Sequence, residues 1–464
     1  MSTLNIPRAA RYRKRMGAFT PPDVKHDKTV MSFSSAVESY NFDCSSGALR
    51  CGYGVESHEY VPAAATRYWV YRFYSEQYGY VDQYVYQLAD GRLKFYDTAT
   101  REDLFIAGYP FPPITALNYR LNSRDVLIIS APGQKLVTWN GTILTEHEGS
   151  PTVSSMALHY ERLFVTSADE PTKVFFSDDL DPTAWDISAD GGGFIELLDE
   201  RGALNKVASF GNYLYIFRDH GISRVTAFGD QKEFSVVNLF VTAGRIYPDS
   251  IAVCGGAVVF LASDGLYRFD GYDCVRILQN LDGLIDHDGS FCSAYFDGKY
   301  YLSCRMAFAS GGTVGCEAGE YSTNGLLVYD VASGEHSITR GVDISFMAAA
   351  TFDGADFLMC CDGGRGGVIA RCGKRFDAVL PAHWQSAETD FGTPDKIKFV
   401  REAYVKTSTP VTVSLCGDGK KKSRNVKPNA PRVRFNYRCD RTSLAIDSDG
   451  GDGINVSPPT IVYG

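Results

Sequence analysis

Three short acidic stretches of the sequence could do chemistry if their carboxylates converged. Asp178, Asp179 and Asp181 in FSDDLDPTAWD offer a carboxylate pair or a cation ligand set. Consecutive strand residues point to opposite faces, and Pro182 marks a turn, so a strand-end turn with Trp185 tucked against it is preferred. Asp447, Asp449 and Asp452 in DSDGGDG suggest a calcium loop, but the one-three-five spacing and terminal Glu of such loops are missing, which favours a plain hairpin turn. Asp286-His287-Asp288 is an acid–base trio on paper. With no GxSxG-type nucleophile motif elsewhere, it reads better as an exposed connecting loop. The glycine cluster GGRGGV at 363–368 lacks the strand-to-helix setting of a phosphate loop and reads as a turn. No catalytic residue, cofactor or metal is expected, and the chain is expected not to be an enzyme.

The twelve Cys form no CxxC pair and no zinc spacing with His. Several lie in apolar runs such as YYLSCRM and FLMCCDG, where a free thiol behaves as a small buried hydrophobe, and folding in a reducing cytoplasm is expected. The sequons Asn140-Gly-Thr and Asn455-Val-Ser carry no weight in an unsecreted chain. The opening MSTLNIPRAARYRKRMG has basic residues but no apolar segment, and no run of about 18 apolar residues occurs anywhere, so neither a secretory signal nor membrane insertion is expected.

Charge is segregated. Residues 396–441 hold thirteen Lys/Arg against Glu402, Asp418 and Asp440, a balance of +10, which leaves −19 for the remainder of a chain whose formal charge is −9. Arg8, Arg11, Arg13, Lys14 and Arg15 add a second basic cluster with no acid before Asp23. The candidate docking or DNA-facing residues are Arg11, Arg13, Lys14, Arg15, Lys420, Lys421, Lys422 and Arg424. The lysine run is placed in a hairpin turn. It is either a solvated turn that discourages edge pairing or a docking surface for an acidic partner or DNA.

The elements that would position these groups are strands. Of 464 residues, 44% are apolar, 13% aromatic and only 22% charged, with 45 Gly, a balance that suits short strands and tight turns. One arrangement recurs seven times, most cleanly as AVVFLASDGLYRFDGYDCVRIL at 257–278: an alternating strand, a turn, a second strand and a further strand. The other copies lie at 84–106, 125–146, 162–187, 213–237, 299–338 and 356–379. Turn positions at Asp97, Asn140, Asp178, Gly229, Asp270, Asp330 and Cys372 set a spacing near that of propeller blades, roughly 40 to 45 residues. Asp-Gly and Asn-Gly pairs supply the positive φ that two-residue hairpins need. The longer intervals are assigned to insertions at 188–204 and 307–323. The fold expected is all-β: a propeller of about seven blades, six being the alternative, over 61–380, after an extended N-terminal arm and entry strand at 1–60. Six strand-like pieces over 381–464 complete it as a small C-terminal β-sandwich.

Residues 172–230, with KVFFSDDLDPTAWDIS followed by GFIELLDERGALNKVASFGNYLYIFRDHGISRVTAFGD, resemble the recurring core of bacteriophage β-propeller tail proteins. SAVESYNFDCSSGALRCGYG resembles their entry segment, and HWQSAETDFGTPDKIKFVREAYVKTSTPVTVSLCGDGK their terminal sandwich. The resemblance implies a tail hub, nozzle or stabilisation-type virion protein that mediates head–tail or tail-fibre assembly and forms part of the DNA exit path. Its implied partners are copies of itself in a ring of about six, a head–tail connector or adaptor, tail fibres, and transiently double-stranded DNA. The alternatives are a glycan-binding, host-receptor tail protein and, further off, a propeller glycosidase.

Overall fold

The computed structural model describes residues 11–57, 65–187, 191–308, 321–352, 355–365, 368–374, 377, 380–451 and 453–464. Seven four-stranded antiparallel sheets follow one another as the blades of a β-propeller. Blades 1 to 6 are simple meanders spanning 65–106, 115–147, 155–196, 204–241, 252–277 and 292–340. Blade 7 is built from Ile344–Phe352, Ala355–Asp362 and Val368–Gly373, and its outermost strand is Gly54–Ser57 from far upstream. The register runs Ala370↔Ser57 to Gly373↔Gly54. Cys372, expected at a turn, is the last residue but one of Val368–Gly373, opposite Val55, so the turn falls just after it and the fourth strand of its repeat is not next in sequence.

Each blade is too thin to bury its own faces, and the apolar side chains meet in seven clusters, one at each blade–blade interface. This explains the second strands, whose apolar runs are nearly continuous. In Val258–Ala262, Val259 and Leu261 pack toward blade 6, whereas Val258, Phe260 and Ala262 pack toward blade 4. The seventh cluster joins Phe346, Met359 and Cys361 of blade 7 to Ala65, Tyr68 and Tyr86 of blade 1, so the ring closes. Two expected insertions take a different form. Residues 188–204 contain the outer strand of blade 3, Gly193–Glu196, which pairs with Lys173–Phe176. In blade 6, Lys299–Phe308 and Tyr321–Asp330 form one long hairpin, and residues 309–320 lie outside the described residues.

The six expected C-terminal pieces all form strands, and Lys420–Val426 is a seventh. They make a sandwich together with the upstream segment expected as an arm, whose extended chain adds strands to both sheets. The four-stranded sheet runs Tyr12–Arg15, Thr460–Tyr463, Lys398–Tyr404, Arg432–Cys439. The five-stranded sheet runs Ala36–Tyr40, Ala382–Ser386, Ser443–Ser448, Val411–Gly417, Lys420–Val426. Trp384, Phe435, Val413 and Ile446 are buried between them.

The five-stranded sheet abuts the rim of blade 6. Asn41 N donates to Ile338 O (2.8 Å), Arg340 N donates to Asn41 Oδ1 (2.8 Å), and Thr339 Oγ1 donates to Tyr53 O (2.8 Å). The Arg340 guanidinium lies over the rings of Tyr40 (5.1 Å) and Phe308 (4.7 Å). Under this seam sits His336, its Nε2 3.4 Å from Asn280 Nδ2.

Val55 is 5% exposed within the blade 6–7 cluster. Val55→Asp should lower stability by about 3 kcal/mol or more in urea titration, because it buries an unpaired charge, while a change at exposed Ile143 should leave the midpoint in place. An unmoved midpoint for Val55→Asp would show that the upstream strand does not hold the ring shut. Burial also holds His159 and His336 down to about 4. The unfolded chain takes up these protons near pH 6.5 and the folded chain refuses them until about pH 4, so stability is full above that window and declines within it. The expected decline is at most about 1.4 kcal/mol per pH unit per histidine, and the double change to Gln should make it shallower, with the lowered His147 and His287 keeping a residual slope. A wild-type midpoint that stays constant across the window would contradict this.

Candidate docking surface

The outward face of the four-stranded sheet gathers cations from three separate parts of the sequence. In Arg432–Cys439, alternation sends Phe435, Tyr437 and Cys439 into the core and leaves Arg432, Arg434 and Arg438 exposed. In Lys398–Tyr404, a bulge between Val400 and Glu402 keeps Val400 and Ala403 inside, with Phe399, Arg401, Glu402 and Tyr404 on the outer side. The register then builds rows across the sheet. Arg13 pairs with Val462, Val462 with Glu402 and Glu402 with Arg434; in the next row Arg15 pairs with Thr460, Thr460 with Tyr404 and Tyr404 with Arg432. Six arginines thus share the face of these strands with one acid, Glu402.

Glu402 accepts from Arg432 Nε (2.9 Å) and from its terminal amine (2.5 Å), which leaves five arginines without a carboxylate from these strands. The guanidiniums of Arg401 and Arg432 lie 5.6 and 5.8 Å from the rings of Phe399 and Tyr404. Flat cations backed by aromatic rings suit an anionic or aromatic counter-surface.

The expected basic residues divide. Arg13 and Arg15 join this face, Arg11 is exposed just before the strand, and Lys14 lies in the inward row opposite Ile461. The lysine run is not in a turn. Asp418 and Gly419 turn the chain with φ of 51° and 69°, and Lys420, Lys421 and Lys422 begin the edge strand Lys420–Val426. Lys422 and Arg424 alternate inward there and close the open side of the sandwich. Lys422 Nζ donates to Asn436 O (3.2 Å), and Arg424 Nε donates to Arg434 O (3.0 Å). These carbonyls belong to the edge strand of the opposite sheet, so the two cations cover an edge that could otherwise recruit another strand. Lys420 and Lys421 remain exposed. The N-terminal cluster thus shares the four-stranded sheet with Arg432–Cys439, whereas the lysine run lies in the other sheet. Tyr12–Arg15 lies on the far edge of the four-stranded sheet, three strand spacings or roughly 14 Å from Arg432–Cys439.

The acidic stretches are placed as connections and partners. Asp178 to Asp181 form a tight turn in blade 3, where Asp181 Oδ1 accepts from Thr183 N (2.9 Å). Asp286 pairs with Arg305 at 3.4 Å, and His287 stacks on Tyr247 with burial lowering its basicity. Asp447 is in a strand, 2.6 Å from His383 Nδ1, while Asp452 lies outside the described residues. Residues 363–365 form a short turn, with 366–367 outside the described residues. Eleven described Cys are free thiols, and burial pushes several, such as Cys44, Cys304 and Cys361, up to about 12.

No protein-family model and no curated protein matches the sequence. Solved structures similar to this chain include BBS1N in complex with ARL6DN, soaked with mercury, with 11% identity, a TM-score of 0.41, and coverage of 70% of this chain and 96% of that one. Another is Hsv2 of Kluyveromyces lactis, with 8% identity, a TM-score of 0.35, and coverage of 56% and 82%.

The edge-covering role of Lys422 and Arg424 is separable from docking. Replacing both with Met should cost about 1 kcal/mol in urea titration, while Lys420→Ser with Lys421→Ser should stay within about 0.5 kcal/mol of wild type. Equal effects from the two pairs would contradict the division of labour.

Proposed function

We propose that this chain is a structural and docking component of a bacteriophage-type tail, a virion protein folded in the host cytoplasm. The observation that carries this reading is the pairing of a closed, stiff propeller with a sandwich held on its rim, whose far sheet presents six arginines beside a body of opposite charge. A rigid disc with two loop-bearing faces and one cationic face serves assembly rather than turnover. Its partners in this reading are copies of itself in a ring of about six, a head–tail connector, tail fibres and, transiently, DNA on the exit path. The resemblance of residues 172–230 and of both flanks to phage propeller tail proteins supports the same station.

One observation favours a second reading. The first hairpin of blade 1 is long and ends in exposed Tyr74, Tyr78 and Tyr80, with Tyr74 and Tyr80 packed edge to face at 5.5 Å. Tyrosine-tipped loops suit the recognition of glycans or proteins on a host surface.

Electron microscopy of the parent particle with this chain tagged separates the two. The assembly reading expects density for the chain in a ring at the head–tail axis. Peripheral single copies together with glycan binding that is lost in Tyr78→Ser would favour receptor binding, and a chain that never associates with particles would sink both.

A further inference from the structure

Both faces of the propeller carry carboxylates, and one of them is also studded with exposed apolar side chains. Strands alternate in direction within a blade, so the turns joining strands one and two and strands three and four all lie on the same face. Tyr78 of blade 1, Ile143 of blade 2, Leu180 of blade 3, Phe228 of blade 4 and Tyr272 of blade 5 occupy these turns and are between 57% and 69% exposed. On the opposite face, among the described residues, the large apolar side chains exposed by half or more are Leu198 and Val241. The same turns carry Asp178, Asp179, Asp230, Asp270 and Asp273. Exposed apolar side chains spread over five successive blades, three of them aromatic, and accompanied by carboxylates are more than scattered surface hydrophobes.

This face already binds guanidinium within its own chain. Arg224 lies 4.4 Å from the ring centroid of Tyr213 and 5.6 Å from that of Tyr272. A complementary surface would be cationic, flat, rich in arginine and aromatic, which describes the outward face of the four-stranded sandwich sheet. A chain cannot satisfy itself this way. Its five-stranded sheet is seated on the rim of blade 6 through Tyr40 and Asn41, so the arginine face points away from its own propeller.

We propose that the arginine face of one copy docks on the acidic, aromatic turn face of a second copy, over blades 1 to 5. Resting on the assembly reading above, this names the contact that joins the copies. The two surfaces differ, so the contact is heterologous, and repetition of it generates a ring if the rotation closes and a filament if it does not. Arginine against aromatic and carboxylate groups gives an association that salt weakens.

The test is sedimentation velocity of the full chain at about 50 and 500 mM salt, with two charge-reversal variants at exposed positions. One carries R434E and R438E, and the other D179K and D273K. Wild type should self-associate more strongly at low salt, each variant alone should lose about tenfold or more in apparent association, and an equimolar mixture should recover it, since each variant then offers the surface its partner needs. Unchanged urea midpoints would show that both variants fold. Wild type that stays monomeric at low salt, or association indifferent to both reversals, overturns the proposal. So does a face whose only measurable ligand is a labelled DNA duplex, lost in R434E/R438E. Particle imaging keeps the two inferences distinguishable: copies present in tails without mutual contact would overturn this contact and leave the assembly reading standing, whereas self-association without particle incorporation would do the reverse.

Discussion

The pairing of Gly54–Ser57 with Val368–Gly373 is the interaction on which the rest of the architecture depends. A propeller has a first and a last blade, and each must bury a face against the other. Here the last blade has three strands of its own, and the fourth comes from before blade 1, so the chain is latched across the joint by a backbone ladder as well as by the Phe346–Tyr68 apolar cluster. Opening the ring requires breaking both. Loop-closure entropy makes such a long-range pairing slow to form, but once formed it ties residues more than 300 apart in sequence into one unit.

The latch also explains where the sandwich sits. Two strands upstream of Gly54–Ser57, Ala36–Tyr40 and Phe42–Asp43, lie beside blade 6, and the chain leaving blade 7 re-enters the same neighbourhood at Ala382. Both ends of the chain are therefore delivered to one rim, and a sandwich of N-terminal and C-terminal strands is the compact way to bury their apolar faces. Arg13 and Arg15 come to share a sheet with Arg432 and Arg434 for this topological reason. The segregation of charge along the sequence becomes a segregation in space.

Much of the fold was legible in the sequence because turn chemistry is local. Asp-Gly and Asn-Gly pairs and the repeated strand pattern marked six of the seven third strands. The seventh misled at Cys372 because its outer strand is supplied from residues 54–57, and no local pattern encodes that. Lys420–Val426 showed no apolar alternation, since its inward positions hold Lys422 and Arg424 covering an edge, and so it passed for a turn. The arginine face was half visible. RVRFNYR alternates cation and core residue in plain view, but its union with Arg13 and Arg15 depends on a register between strands some 400 residues apart. The apolar turn face was hidden for a similar reason, since its members sit one on each of blades 1 to 5 and only the ring aligns them.

The upstream strand is an integral part of the ring and fixes the sandwich to it. Native-state amide hydrogen exchange tests it most directly. Amides of 54–57 and 368–373 that bond across the ladder should exchange slowly, with the same denaturant dependence as the second strands of the blades, so that they open only when the propeller unfolds. Fast exchange at 54–57 while blades 2 to 5 remain protected would show a ring that holds together without its latch, and would contradict the role of this strand.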